Sequence, residues 1–528
     1  MPRRPLAVMA CALALVLAVT GCTSGRPKPK PKPIQTKTTT PTTKPTSSST
    51  GPTVQPIGFV NCTKQIQPSL AKEDQNRVAR LSFFCGRLDV PLDYTHPDGL
   101  TTQIYVVRIH DNSQVHKTGS LIVNPGGPGA SGVGLAIDLS TQVSDNLLQH
   151  FDLVGFDPRG VFLSTGLNCV SDKQKDALAG LHPDIRTVAG YNQASAAYSG
   201  IAQSCSTKYG PALQYYNTVA TARDMDLVRQ GVGDTKLNYL GFAYGTLLGA
   251  VYAHLFPATV RTEVLDGAVD PAPSVLASAE TRVDGFESAL DQFATACRTE
   301  AACKPLGTNI RATLLALERS MDKHPLTPKA ATDKRRITGA YVLSAATAAL
   351  YDQGKWAALR DALLKARTGD PSGLLSLTDT QNQRDNQGHY TNLIDTNTVI
   401  TCNDLRAAPT PAQIKATAVR WAKRYPVFGL FEATQLLQCS GWQKYRHPVP
   451  AVTATGSAPI LVIGTVHDPV TPYPQAARLA KELGTGVVLT WDGEGHTAYP
   501  KTKCIRDAVE SYLVDQKVPA ADTSCPAK

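Results

Sequence analysis

Residues 240–245 read Leu240-Gly241-Phe242-Ala243-Tyr244-Gly245, directly after the apolar run Leu237 to Gly241 and ahead of a helical pattern, Thr246 to Leu255, that stops before Pro257. The pattern is G-x-A-x-G between a strand and a helix. Glycines on either side of a residue in that place allow a turn too tight for side chains, and the turn thrusts the middle side chain out at the carboxyl edge of a sheet. The middle residue is Ala243, whose methyl group carries neither a lone pair nor an exchangeable proton. Alone, the pentapeptide is a weak sign. The elements around it decide how it is read.

Working outward, short apolar runs bounded by glycine or proline predict strands at Gln103 to Ile109, Ser120 to Asn124, Phe151 to Phe156, Thr262 to Leu265, Ile460 to Ile463 and Val487 to Thr490, besides Leu237 to Gly241. Helical patterns lie between them, at Ala222 to Gln230 and Thr246 to Leu255. Alternation of this kind predicts an α/β fold with a mostly parallel sheet flanked by helices. From about Pro271 to Pro450 the strand rhythm vanishes and helical patterns take over, as in Val283, Phe286, Leu290, Phe293 and Cys297, which share one face. This block reads as a helical cap inserted into the sheet order, lying over the carboxyl ends of the strands where open α/β sheets bind ligands.

Three further elements stand in order around the turn. Asn124-Pro125-Gly126-Gly127-Pro128-Gly129 follows a strand, and its side-chain-free backbone can offer the N–H of Gly127 beside that of Tyr244 as an oxyanion hole. Asp468 follows the Ile460 strand and can orient a histidine, and His496, in Gly493-Glu494-Gly495-His496-Thr497 after the last strand, can be that histidine. The chain order Ala243, Asp468, His496 is the order nucleophile, acid, base. Asp266 and Asp270 are rival acids. His467 reads as a surface or supporting residue because adjacent side chains point apart. Asp157-Pro158-Arg159-Gly160 reads as a structural loop in which Arg159 pairs with a carboxylate.

Together these segments resemble the secreted tripeptidyl aminopeptidases of actinomycetes, serine peptidases of the α/β-hydrolase fold related to prolyl aminopeptidases, among them mycobacterial cell-envelope peptidases. The resemblance runs from about Gly86 to Cys525 through Val123 to Gly129, Phe151 to Val161, Leu265 to Pro271, Asp468-Pro469 and Gly495-His496-Thr497. It implies an α/β-hydrolase fold with a helical cap, with Asp468 as acid, His496 as base and Gly127 and Tyr244 as oxyanion donors. The family's elbow reads G-x-S-Y-G, so the resemblance places Ala243 where the nucleophilic serine belongs. A methyl cannot attack a carbonyl, which implies a catalytically impaired or inactive member, and the preserved pocket then points to peptides or other small envelope ligands as partners. No metal and no organic cofactor is implied.

The ends of the chain give its setting. Arg3 and Arg4, the apolar run Leu6 to Val19, and Val19-Thr20-Gly21-Cys22 read as a bacterial lipoprotein signal, residues 1–22, with Cys22 lipidated and becoming the new N-terminus. Residues 23–57, rich in Pro, Thr, Ser and Lys, read as a disordered tether reaching up to about 100 Å if extended. The body then divides into a first core part (58–270), the cap (271–450) and a second core part (451–528). The expected location is the outer face of a bacterial cell membrane, reached through the lipid alone. Of the formal net charge of +10, Arg3, Arg4, Arg26, Lys28, Lys30, Lys32, Lys37 and Lys44 supply +8 before Gly58, so the body is near neutral and nucleic acid is not an expected partner. Twelve cysteines less Cys11 and Cys22 leave ten in an oxidising compartment. Short loops favour Cys62–Cys85, Cys169–Cys205, Cys297–Cys303, Cys402–Cys439 and Cys504–Cys525, although other connectivities are open.

Overall fold

The computed structural model describes residues 55–329, 333–442 and 447–528. The expected signal, Cys22 and nearly all of the tether lie outside the described residues. Ten strands form one sheet: β1 (Val60–Asn61), β2 (Leu81–Pro91), β3 (Thr101–Asp111), β4 (Gly119–Asn124), β5 (Phe151–Phe156), β6 (Leu237–Phe242), β7 (Val260–Asp266), β8 (Ile460–His467), β9 (Gly486–Glu494) and β10 (Ser524–Pro526). Their spatial order is β1-β2-β3-β5-β4-β6-β7-β8-β9-β10. β1, β2, β3 and β5 pair antiparallel in turn, and from β5 across to β10 every pairing is parallel. The mostly apolar runs of β4, β5 and β6 are explained by their burial on both faces, since every residue in them is buried, Ser120, Asn124, Asp152 and Asn238 included.

Each of the expected strands is present, several longer than their apolar runs. β1, β2 and β10 are additional. β2 pairs with β3 over its whole length, from Leu81 opposite Asp111 to Pro91 opposite Thr101. Helices Thr218–Gly231, Tyr244–Leu255 and Pro474–Leu483 bury apolar side chains against one face of the sheet, and Gly132–Gln142, Asp145–His150 and Lys503–Asp515 against the other. β4 lies between β5 and β6, so the chain leaves β4 to one side and returns on the other. The crevice that this reversal opens lies beyond the carboxyl ends of β4 and β6, which end at Asn124 and Phe242.

A separate hydrophobic cluster belongs to the helical layer. It gathers Val283, Phe286, Leu290, Phe293 and Cys297, all buried on helix Val275–Thr299, with residues of Ile310–Lys323, Gly339–Leu350, Trp356–Arg367 and Pro411–Arg424. It also draws on Tyr191, Ala194, Tyr198 and Ile201 of the helix Val188–Tyr209, which belongs to the β5–β6 connection. The disulfides are Cys62–Cys85, Cys169–Cys205, Cys297–Cys303, Cys402–Cys439 and Cys504–Cys525. Among the described residues no helix is long and apolar enough to cross a membrane.

Candidate active site

β6 runs into the helix Tyr244–Leu255 through a single residue, Ala243, at φ 51° and ψ −120°. A positive φ at a residue with a Cβ costs on the order of 1–3 kcal/mol and persists only where the surroundings enforce it. Here the Ala243 N–H donates to the Asp266 carbonyl at 2.9 Å, and the Ala243 carbonyl accepts from Thr246 Oγ1 at 2.6 Å. The glycines are needed for proximity: a Cβ on Gly245 would stand 2.7 Å from the Asn124 carbonyl oxygen.

The glycine loop after β4 lies against this turn. Asn124 pairs with Gly241 in register, and a Cβ on Gly126 would fall 2.5 Å from the Phe242 oxygen, 2.8 Å from the Tyr244 nitrogen and 3.1 Å from the Ala243 Cβ. Gly127 is exposed at φ 108°, and its N–H meets no acceptor among the described residues. Tyr244 is the first residue of its helix, so its N–H has no partner within the helix either. The Tyr244 N–H thus lies at the elbow tip, and the Gly127 N–H belongs to the residue after Gly126, which packs on that turn. The Tyr244 side chain turns away into the protein, where its hydroxyl pairs with Thr218 Oγ1, which in turn donates to Asp404 Oδ2 at 2.6 Å. Burial, with Asp404 beside it, raises the Tyr244 phenol well above its ordinary range, and burial pushes Asp404 up to about 7. The Thr246 hydroxyl donates to Ala243 and accepts from the Val269 N–H at 2.9 Å. Both hydroxyls next to the tip are therefore committed elsewhere.

The acid and base meet on the other side of the crevice. His496 Nδ1 lies 2.9 Å from Asp468 Oδ2 and 3.0 Å from Oδ1, which assigns the Nδ1 proton to the carboxylate side and leaves Nε2 as the free lone pair. Asp468 also accepts from the Val470 N–H at 2.8 Å, the Thr471 N–H at 2.9 Å and Thr471 Oγ1 at 2.9 Å. Burial alone would raise the Asp468 carboxyl, but the His496 charge and these donors hold it below the usual carboxylate range. Its lone pairs are committed to N–H and O–H donors, an arrangement that orients an imidazole rather than ligating a cation.

The rival acids do other work. Asp266, fully buried, accepts from the Ala498 N–H at 3.0 Å and the Tyr499 N–H at 2.7 Å, pinning the loop that carries His496. Burial outweighs those bonds and pushes it up to about 6. The same stretch brings elbow and base together: Asp266 holds Ala243, and a Cβ on the next residue, Gly267, would fall 3.1 Å from His496 Cε1. Asp270 pairs with Arg478 Nε at 2.5 Å. His467 is half-exposed, its Nε2 3.8 Å from Glu494. Arg159 is fully buried, with every donor used: on Asp224 at 2.6 and 2.7 Å and on the carbonyls of Pro91, Leu92 and Tyr215. Asp157 accepts from Ser131 and from the Leu163 N–H at 3.1 Å, so this loop is structural.

The helical layer roofs the crevice with residues that sequence reasoning missed. The His496 N–H donates to the Tyr351 carbonyl at 2.7 Å, and the Tyr351 ring meets the imidazole edge-on, centroids 5.4 Å apart. Asn397 Nδ2 donates to the Pro128 carbonyl at 3.0 Å, bracing the glycine loop. Arg282 pairs with buried Glu432 at 2.9 Å, close enough to Tyr351 to influence its phenol, which burial raises to about 12. No local pattern announces Tyr351, Asn397 or the Arg282–Glu432 pair, because only tertiary packing brings them here. Thr471 had a partial signal, since an Asp before a proline turn bonds the backbone two residues on, as Asp468 does with Val470, and Thr471 is the next residue.

Residues 425–525 match the family model described as TAP-like protein. The chain is 33% identical over 466 residues to serine protease Hip1 of Mycobacterium tuberculosis, covering 84% of this chain and 87% of the relative. It is 34% identical over 473 residues to carboxylesterase B of the same organism, 86% and 88% of the two chains. To the tripeptidyl aminopeptidase of Streptomyces lividans it is 30% identical over 468 residues, 84% of this chain and 83% of the relative. With this sheet order, this elbow and these relatives, the chain belongs to the α/β-hydrolase family that contains the tripeptidyl aminopeptidases.

Proposed function

We propose that this chain is an exported, lipid-anchored peptide-binding homologue of the tripeptidyl aminopeptidases whose hydrolytic activity is impaired or lost. The observation that carries the reading is Ala243 at the tip of an otherwise equipped elbow, with the Tyr244 N–H at that tip, the Gly127 N–H in the loop that packs on it and an Asp468–His496 pair across the crevice. His496 has no hydroxyl at the tip to deprotonate, so the covalent acyl-enzyme route of a serine peptidase is closed. What remains suits binding: N–H groups that can donate to a peptide carbonyl and a helical roof over the crevice. The relatives' names, serine protease and tripeptidyl aminopeptidase, point to peptide termini as the ligand class. Cys22, after an apolar leader, supports attachment to the outer face of the membrane.

A second reading is weak hydrolysis by a water molecule that His496 Nε2 activates, favoured by the free oxyanion donors. An oxyanion hole and binding alone leave about 10³–10⁴ over the uncatalysed rate in other hydrolases.

The test compares the full-length chain with Ala243→Ser on chromogenic tripeptide anilides, together with labelling by a fluorophosphonate probe. Turnover and labelling confined to the serine variant, with tripeptide binding by both proteins, agree with the proposal. Robust turnover or labelling of the alanine protein overturns it. Lipidation is read separately, as incorporation of labelled palmitate that Cys22→Ser abolishes.

A further inference from the structure

Far from the crevice in sequence, one cluster in the helical layer has no role in the site described. His182 follows the helix Asp172–Ala179 in the β5–β6 connection, and Glu318 and Asp322 stand one turn apart on Ile310–Lys323. His182 Nδ1 lies 3.0 Å from Asp322 Oδ2 and 3.6 Å from Glu318 Oε1, and the ligand atoms of the three side chains all lie within 4.8 Å of one another. We propose that His182, Glu318 and Asp322 form a binding site for a divalent transition-metal ion of the Zn²⁺ class, which clips the β5–β6 connection to the cap.

The dimensions suit such an ion. With bonds of about 2.0–2.2 Å to nitrogen and carboxylate oxygen, a tetrahedral centre spaces its ligand atoms about 3.3–3.5 Å apart, and the two measured edges bracket that value. One imidazole nitrogen and two carboxylates form a mixed donor set of the borderline kind that zinc accepts. A plain ion pair uses the cluster less completely. The single Nδ1–H can serve one carboxylate well, and it leaves the other facing its like-charged neighbour, whereas a cation engages all three lone pairs at once.

The surroundings also hold the ligands in place. The second oxygen of Asp322, Oδ1, accepts the Gly339 N–H at 2.8 Å, and the His182 ring leans on Phe431, centroids 6.4 Å apart. Outer contacts of this sort fix the orientation of metal ligands. The side chains of His182 and Glu318 are 10% and 13% exposed and that of Asp322 is 34% exposed, so the cluster is walled on one side and open to water on the other. That leaves coordination positions for solvent. The ligands come from segments 140 residues apart, so an ion here would join parts of the layer that no disulfide joins directly.

The full chain, stripped with a chelator and dialysed, is titrated with Zn²⁺ calorimetrically and melted with and without the ion, beside His182→Ala and Asp322→Asn. The asparagine variant keeps an acceptor for the Gly339 N–H and serves if the alanine variant folds poorly. The expected result is one Zn²⁺ per wild-type chain and a rise in melting temperature that a chelator reverses. Each variant should lose at least about tenfold in affinity, the lower bound for disturbing even an outer contact of a metal ligand. Equal stoichiometry and affinity in wild type and variants, assigning the binding to other histidines, overturns the proposal. So does a wild type that binds no equivalent, or variants that lose stability equally with and without Zn²⁺, as for an ion pair alone.

Discussion

At the β8–β9 end of the crevice, the Asp468 carboxylate accepts from three backbone N–H groups, a hydroxyl and an imidazole, while the loop bearing His496 is tied to Asp266 and to the Tyr351 carbonyl. At the β6 end, residue 243 is held by its backbone, through Asp266 and Thr246, and its methyl makes no polar contact. The acid therefore serves the fold whether or not catalysis occurs, because removing it strands buried donors. The tip side chain has no such part in the fold. An alanine there is compatible with an undisturbed pocket, whereas an apolar residue at 468 is not.

Ala243→Ser sharpens this contrast most. The variant should gain at least about 10³-fold in kcat/KM on a tripeptide anilide, since nucleophile losses in other hydrolases cost that much and more. Its stability should stay within about 0.5 kcal/mol of the parent by denaturant melts. A large loss of stability with serine would break the contrast, since the tip would then be under structural constraint.

Asp468→Asn should act on both counts. In the serine background it should lower turnover by about 10⁴-fold, because the amide favours the wrong tautomer of His496. In either background it should cost on the order of 1–3 kcal/mol, because the amide NH₂ faces donors. The pH dependence has a definite sign. The carboxyl is held low in the folded protein, so its stabilisation is present at neutral pH and disappears as the pH falls through the folded-state value. The asparagine variant should therefore show a flatter acid limb in its stability profile.

The sequence carried most of the core because the core obeys local rules. Apolar runs mark β3 to β9, and the chain order of Ala243, Asp468 and His496 follows from their strand ends. β2 was legible in principle, from the alternation of buried Leu81, Phe83 and Cys85 and then of buried Leu88 and Val90, but the phase shifts by one residue at Cys85-Gly86, which hides a single period-two run. What the sequence hides is tertiary. Asp266, placed as a rival acid, instead ties down the loop that carries His496. The helix Val188–Tyr209 joins the cap's hydrophobic cluster although it arises between two core strands. Tyr351 reaches His496 from a region with no motif, and His182 meets Glu318 and Asp322 across a long stretch of chain.

Glu263, a buried carboxylate on neighbouring β7, differs from Asp468 in its partners. Neither oxygen of Glu263 has a hydrogen-bond partner among the described residues, and burial pushes it up to about 8 from 4.5. The native state keeps the proton while the unfolded chain releases it, so stability falls as pH rises from about 4.5 to 8 and is then level. Glu263→Gln lacks this slope. It should match the parent near pH 4 and exceed it by about 2–4 kcal/mol at pH 8, as read from urea midpoints at the two pH values. Parallel profiles would mean that Glu263 binds its proton equally in the folded and unfolded chain, and burial without hydrogen bonds would then not set it apart from Asp468.

Tyr244→Phe probes the elbow half at its finest. The tyrosine offers its N–H to the crevice and anchors its ring through Thr218, which Asp404 holds from the end of the cap helix Leu393–Asp404. Phenylalanine keeps the N–H and the packing but drops the hydroxyl contact, so a loss of about 1 kcal/mol in stability is expected. In the Ala243→Ser background turnover should fall by less than about tenfold, because the donor to the oxyanion is backbone and the helix fixes its direction. A hundredfold fall without a change in melting temperature would contradict this. The elbow would then depend on a side-chain chain running from Asp404 through Thr218 to Tyr244, and the cap would be setting the oxyanion donor as well as covering it.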